Sequence, residues 1–143
     1  MKVVILGVGN ELRGDDGIGV FLAGELGKEL GNPEGIMIIK TQVPENFITP
    51  IMEFRPGKII ILDAADFKGK PGSFRVIKEN EIMEFLVSTH NMPLTIFLKA
   101  LEKLKAGKIL IGIQPKNLNF GEGLSREVRE KAGDILGFVR TLL

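Results

Sequence analysis

Lys58-Ile-Ile-Ile-Leu-Asp-Ala-Ala-Asp66 decides the fold. Lys58–Leu62 is the most apolar strand of the chain, with no alternation to leave one face for water. Such a run belongs inside a parallel sheet covered on both sides. Outward from it, Lys2–Leu6 and Ile36–Ile39 read as two more buried strands, and Ile109–Ile113 as a fourth. Ser73–Ile77 alternates more and follows Lys70-Pro71-Gly72, which marks it as an edge strand open to antiparallel pairing. Helical spacing appears in between. Ile18, Phe21, Leu22, Leu26 and Leu30 place a helix over Asp16–Leu30, with Asp15 or Asp16 as its cap. Glu45–Phe54 is a short helix. Leu94, Phe97, Leu98, Leu101 and Leu104 mark another, with Pro93 in its first turn. Ser125 caps the last one, whose apolar face is Val128, Ala132, Ile135, Leu136 and Val139. Strands alternating with helices give an α/β protein: a three-layer α/β/α domain with a mostly parallel, mixed sheet of about five strands.

The 143 residues make about one domain, read as a single unit over 1–143. Hydrophobic residues at 44% and charged ones at 26% are the mix of a globular protein. Nineteen Lys and Arg face 18 Asp and Glu, so bulk charge offers no grip on nucleic acid or a membrane surface. The apolar stretches Val3–Val8 and Ile59–Leu62 fall far short of the roughly 20 residues that span a bilayer. The N-terminus lacks the apolar core of a signal peptide, and the expected location is the cytoplasm. With no cysteine and one histidine, thiolate metal sites, disulfides and paired imidazoles are excluded. Chemistry falls to carboxylates, hydroxyls, Lys, Arg and His90.

In an open parallel sheet, ligands bind beyond the carboxyl ends of the strands. The loops there carry Asn10, Glu11, Arg13, Asp15 and Asp16, then Asp63 and Asp66, then Ser88, Thr89, His90 and Asn91, and finally Gln114. Gly7-Val8-Gly9 after a strand suggests a dinucleotide turn, but Leu12 stands where the third glycine belongs. Gly9–Gly14 has phosphate-loop spacing, yet Asp15-Asp16 replaces the Lys-Ser/Thr and repels an anion. Asp16, Asp63 and His90 form the more specific set. Two carboxylates and an imidazole from three loops suit a divalent metal with open positions, or activation of a water. Each also has a plain reading: Asp16 as a helix cap, Asp63 bonded to backbone amides, His90 packed or at the surface. A Ser-His-Asp hydrolase is disfavoured, since no G-x-S-x-G elbow occurs.

Four ordered motifs cover essentially the whole chain: Gly7-Val-Gly-Asn-Glu-Leu-Arg-Gly-Asp-Asp-Gly-Ile-Gly19, Leu62-Asp-Ala-Ala-Asp66, Ser88-Thr-His90 and Gly112-Ile-Gln-Pro115. Together they resemble the NiFe-hydrogenase maturation endopeptidases, nearest to the HycI type. The resemblance implies an α/β/α fold with five strands, one of them antiparallel. It implies removal of a short C-terminal extension from the hydrogenase large-subunit precursor, after nickel insertion and just past that subunit's last Cys-x-x-Cys motif. It also implies that Asp16, Asp63 and His90 are the catalytic and metal-facing residues; some relatives carry Glu where this chain has Asp16. The nickel is then recognised in the precursor, and no tightly bound cofactor of the chain's own is expected. Asn10, Thr89 and Gln114 would bond the extended substrate, Arg13 would meet a carboxylate, and Glu45 and Asn46 would flank the cleft. Phe47, Phe67 and Phe120 are candidates for apolar docking. The partner is the precursor, with no nucleic acid and no membrane, and a monomer suffices because the site is complete in one chain. The competing readings are a non-catalytic nucleotide- or anion-binding module and a nickel escort.

Overall fold

The computed structural model describes every residue except Val87, and residues 88–92 through their backbone alone. Five strands form one sheet in the order β2-β1-β3-β5-β4. They are β1 (Val3–Val8), β2 (Ile36–Thr41), β3 (Lys58–Ala64), β4 (Phe74–Ile77) and β5 (Gly107–Ile113). β1 pairs in parallel with both β2 and β3, and β3 with β5. β4 runs antiparallel to β5 at one edge, as the Pro-Gly turn before it foretells. The sheet is therefore mixed and mostly parallel.

The helices are α1 (Ile18–Leu30), α2 (Ile48–Phe54), α3 (Ile82–Phe85), α4 (Ser88–Ala100) and α5 (Arg126–Thr141). Alternation along the strands divides the core into two. Val4, Leu6, Val8, Ile59 and Ile61 meet Ile51 of α2, Ile82 of α3, and Leu94, Phe97 and Leu98 of α4. Val3, Ile5, Ile60, Leu62 and Ala64 meet Ile18, Leu22 and Leu26 of α1, and Val128, Ala132, Ile135 and Val139 of α5. Among the described residues, no helix is long and apolar enough to cross a membrane.

Three helical segments depart from the sequence reading. α1 begins at Ile18 with Gly17 before it and no side-chain cap, because Gly14–Gly17 forms a 3-10 turn that holds both Asp15 and Asp16. Asp16 therefore does not cap α1. Glu45–Phe54 splits into a 3-10 turn, Pro44–Phe47, followed by α2. α4 begins at Ser88, so Pro93 lies inside the helix and residues 88–91 form its first turn instead of a loop. The missing N–H of Pro93 is outweighed by burial of Leu94, Phe97 and Leu98 on the next turns.

A candidate protease site at the switch point of the sheet

Beyond the carboxyl ends of β1 and β3 the chain departs in opposite directions, through α1 to β2 on one side and to β4 and β5 on the other. A crevice opens where neighbouring connections part in this way. Asp16 and Asp63 both lie at this end of the sheet. The 3-10 turn of Asp16 packs on β3, and Asp63 is the penultimate residue of β3, paired with Gly112 of β5. The strand thus extends two residues beyond its predicted end, which takes Asp63 out of the loop and into the sheet. Both carboxylates are fully buried.

Local backbone orients each of them. The Asn10 N–H donates to Asp16 Oδ2 at 3.0 Å, and the Ala64 N–H to Asp63 Oδ1 at 2.8 Å. Asp63 shares strand parity with Ile59 and Ile61, which places it on the α2–α4 face. Asp16 enters from the side of α1. Just past Asp63, Ala65 bridges Leu86, and the Asp66 N–H donates to Phe85 O at 2.7 Å, which draws the segment before α4 to the same strand end. The side chains of Thr89 and His90 lie outside the described residues, so their predicted roles rest on their place in the first turn of α4.

The glycines of the first loop serve the chain itself. Gly9 has φ +149, and a Cβ there would collide with Asp16 O. A Cβ on Gly7 would collide with Gly19 O and lie 2.7 Å from Ala23 Cβ. These positions permit tight packing of the first loop and α1, which accounts for the dinucleotide-like spacing without any phosphate.

This fold matches solved proteins over almost their full length. The crystal structure of the NiFe-hydrogenase maturation protease HycI from Thermococcus kodakarensis KOD1 superposes with a TM-score of 0.85 at 32% identity, over 99% of this chain and 92% of that one. The solution structure of the endopeptidase HycI from Escherichia coli gives 0.82 at 33% identity, over 96% and 88%. The Hydrogenase 3 maturation protease of Escherichia coli K12 is 37% identical over 91% of this chain and 83% of its own. The model of the HycI family, hydrogenase maturation protease, matches residues 20–140. The chain belongs to that family.

In this maturation protease the remaining predicted contact residues take different places. Gln114 is buried and committed to its own chain. Its Oε1 accepts from the Phe67 N–H at 2.9 Å and the Gly69 N–H at 3.1 Å, while Nε2 donates to Asp66 Oδ1 and to Pro115 O. All four positions of the amide are filled, so Gln114 shapes the 66–69 loop instead of bonding a peptide. The same bond from Gln114 is the largest influence on Asp66, whose carboxyl it holds below its ordinary value, with help from the Lys68 N–H. Asn10 accepts from the Leu12 N–H through Oδ1 and so shapes its own loop too. Arg13 lies over the Phe120 ring, 5.7 Å from its centre, and an isolated antiparallel bridge joins these two residues. Glu45 is exposed on a turn that packs against α4.

Gln114→Ala is expected to cost about 1–2 kcal/mol in chemical denaturation, because the Phe67 and Gly69 amides lose their acceptor. It also raises the Asp66 carboxyl toward its ordinary value. A lowered carboxyl contributes stability above its unfolded-state value and loses it as pH falls through the folded one. With the Asp66 side chain 49% exposed, that share is at most a few tenths of a kcal/mol, best read by carboxyl NMR titration.

Sequence reasoning placed Asp15 on the rim and as a possible cap of α1, and missed the role that its partners give it. It is as buried as Asp16 but faces the β5–α5 connection. Its partners stand more than a hundred positions away, and no local pattern announces them.

Proposed function

We propose that this protease removes the C-terminal extension of a NiFe-hydrogenase large-subunit precursor once nickel is in place, with Asp16, Asp63 and His90 reading the metal. The observation that carries the proposal is the pair of fully buried carboxylates at the switch-point end of the sheet, in a chain without cysteine. Carboxylates taken out of water at one crevice favour the arrival of a cation. Without thiolates of its own, the chain offers a hard and incomplete donor set, which gains strength only against a nickel already held by the cysteines of the substrate. The ion belongs to the substrate and acts as a test of its maturity.

The chain's own residues supply orientation and docking. The Asn10 and Ala64 amides hold the two carboxylates in place. Leu12 and Phe120, 68% and 71% exposed, are linked by the Gly121 N–H donating to Leu12 O and form an apolar lip where the loop that carries Asn10 meets the 116–125 segment. That lip suits apolar side chains of the precursor, and Arg13 on the Phe120 ring offers a cation to an acidic one. The nucleotide reading lacks comparable support, since Gly7 and Gly9 are spent on internal packing, and the cleavage assay separates a nickel escort from a protease.

Mass spectrometry of the precursor's C-terminus tests the proposal. Nickel-loaded precursor is expected to lose its extension, and nickel-free precursor to keep it. Equal cleavage of both would remove the metal-reading role, and cleavage of neither would remove the activity.

A further inference from the structure

Asp15 and Asp16 are consecutive and equally buried, yet they face different parts of the molecule. Asp15 Oδ2 accepts from the Lys116 N–H at 2.8 Å, the Asn117 N–H at 3.2 Å and Ser125 Oγ at 2.8 Å. Its Oδ1 accepts from the Ser125 N–H at 2.7 Å. The Asp15 N–H in turn donates to Asn117 O at 2.9 Å. Both ends of the 116–125 segment are thereby tied to one carboxylate. Ser125 is also the N-cap of α5, so the start of a 16-residue helix faces the same negative charge. Next to Asp15, Gly14 takes φ +54, and a Cβ there would sit 2.5 Å from Asn117 Oδ1 and 2.8 Å from Asn117 O. The two segments touch with no room for a side chain.

We infer that Asp15 is the positioning residue of this site: it locks the turn that carries Asp16 to the segment that carries Phe120, which fixes the spacing between the metal-facing carboxylate and the docking lip. The inference rests on the role proposed above for Asp16. A carboxylate suits the task because it accepts on every position and donates on none. An amide in its place turns an NH2 toward at least one of the four donors, and the strain falls on the peptide unit shared with Asp16.

The test compares Asp15→Asn with Ser125→Ala, each well below its melting midpoint. Ser125→Ala removes the hydroxyl bond and the cap to Val128 but leaves three backbone donors on Asp15. Asp15→Asn is expected to lower kcat on nickel-loaded precursor by about tenfold or more with KM within about threefold, since misplacing a reacting group by a fraction of an ångström already costs this much. The backbone amide resonances of Asn10 and Asp16 move with it. Ser125→Ala stays within about twofold of wild type and leaves those two resonances in place. Wild-type kcat in folded Asp15→Asn overturns the inference, and so does an equal loss in Ser125→Ala. Should Asp15→Asn not fold, Asp15→Ser, which keeps one acceptor oxygen, takes its place with the same expectations. If the wild-type protein fails to process the precursor, the proposed function falls, and the resonances alone decide: shifts confined to the Asp15 variant support positioning, and unchanged spectra refute it.

Discussion

Asp16→Asn and Asp63→Asn are each expected to lower processing of a nickel-loaded precursor by about a thousandfold or more, while the protein stays folded. The two substitutions are nearly isosteric, and each keeps an oxygen to accept the bond from Asn10 or Ala64. What disappears is one negative charge in a fully buried place, where little water screens it. The cost therefore falls on recognition of a cation and not on packing. Asn keeps the shape of each carboxylate and one acceptor oxygen, so the melting midpoint is expected to stay close to that of the wild type. Mass spectrometry gives the processing rate and circular dichroism the midpoint. A variant that keeps even a tenth of wild-type activity would take its residue out of the site. A variant that melts far below wild type would make the carboxylate a structural group.

Gly19→Ala is expected to have the largest effect on stability, about 3 kcal/mol in denaturant, the top of the usual overpacking range. In a domain of this size that corresponds to roughly 10 °C in Tm. Gly19 is the second residue of α1 and lies where the helix crosses the ends of β1 and β3. A Cβ there would collide with Leu62 O and stand 2.6 Å from Val8 O. Both obstacles are backbone carbonyls of central strands, so no side-chain rotation relieves the clash; α1 itself must move away from the sheet. Gly24, on the same helix, meets nothing nearer than the Lys40 side chain at 3.8 Å. Gly24→Ala is therefore neutral or slightly stabilising through helix propensity. Equal midpoints for the two variants would mean that the close contact between α1 and the sheet is not needed.

The parts of the fold that were legible are those in which local pattern and burial agree. Ile59–Leu62 and Ile109–Ile113 are apolar on both faces because both faces are covered, and Ser125 caps α5 as its position before an amphipathic run suggests. The sequence reading shifts α4 toward the C-terminus, starting it near Pro93 and carrying it to Leu104, whereas the helix runs from Ser88 to Ala100. A rule based on the missing N–H of Pro93 does not weigh the packing of Phe97 and its neighbours against one lost bond. The rim was legible as a set of loops, and Asp16 and Asp63 both lie buried at that end of the sheet. The division of labour between Asp15 and Asp16 was not legible. Adjacent identical residues carry identical local signals, and only contacts across the fold tell them apart. Gln114 was likewise assigned to a peptide because its true partners, Phe67 and Gly69, lie on a distant segment.

Asp63 stands on the layer shared with α2–α4, whereas Asp16 arrives with α1 from the opposite layer. Neither half of the molecule owns the site. If both carboxylates act as proposed above, docking of both helix layers to the sheet comes before any cleavage.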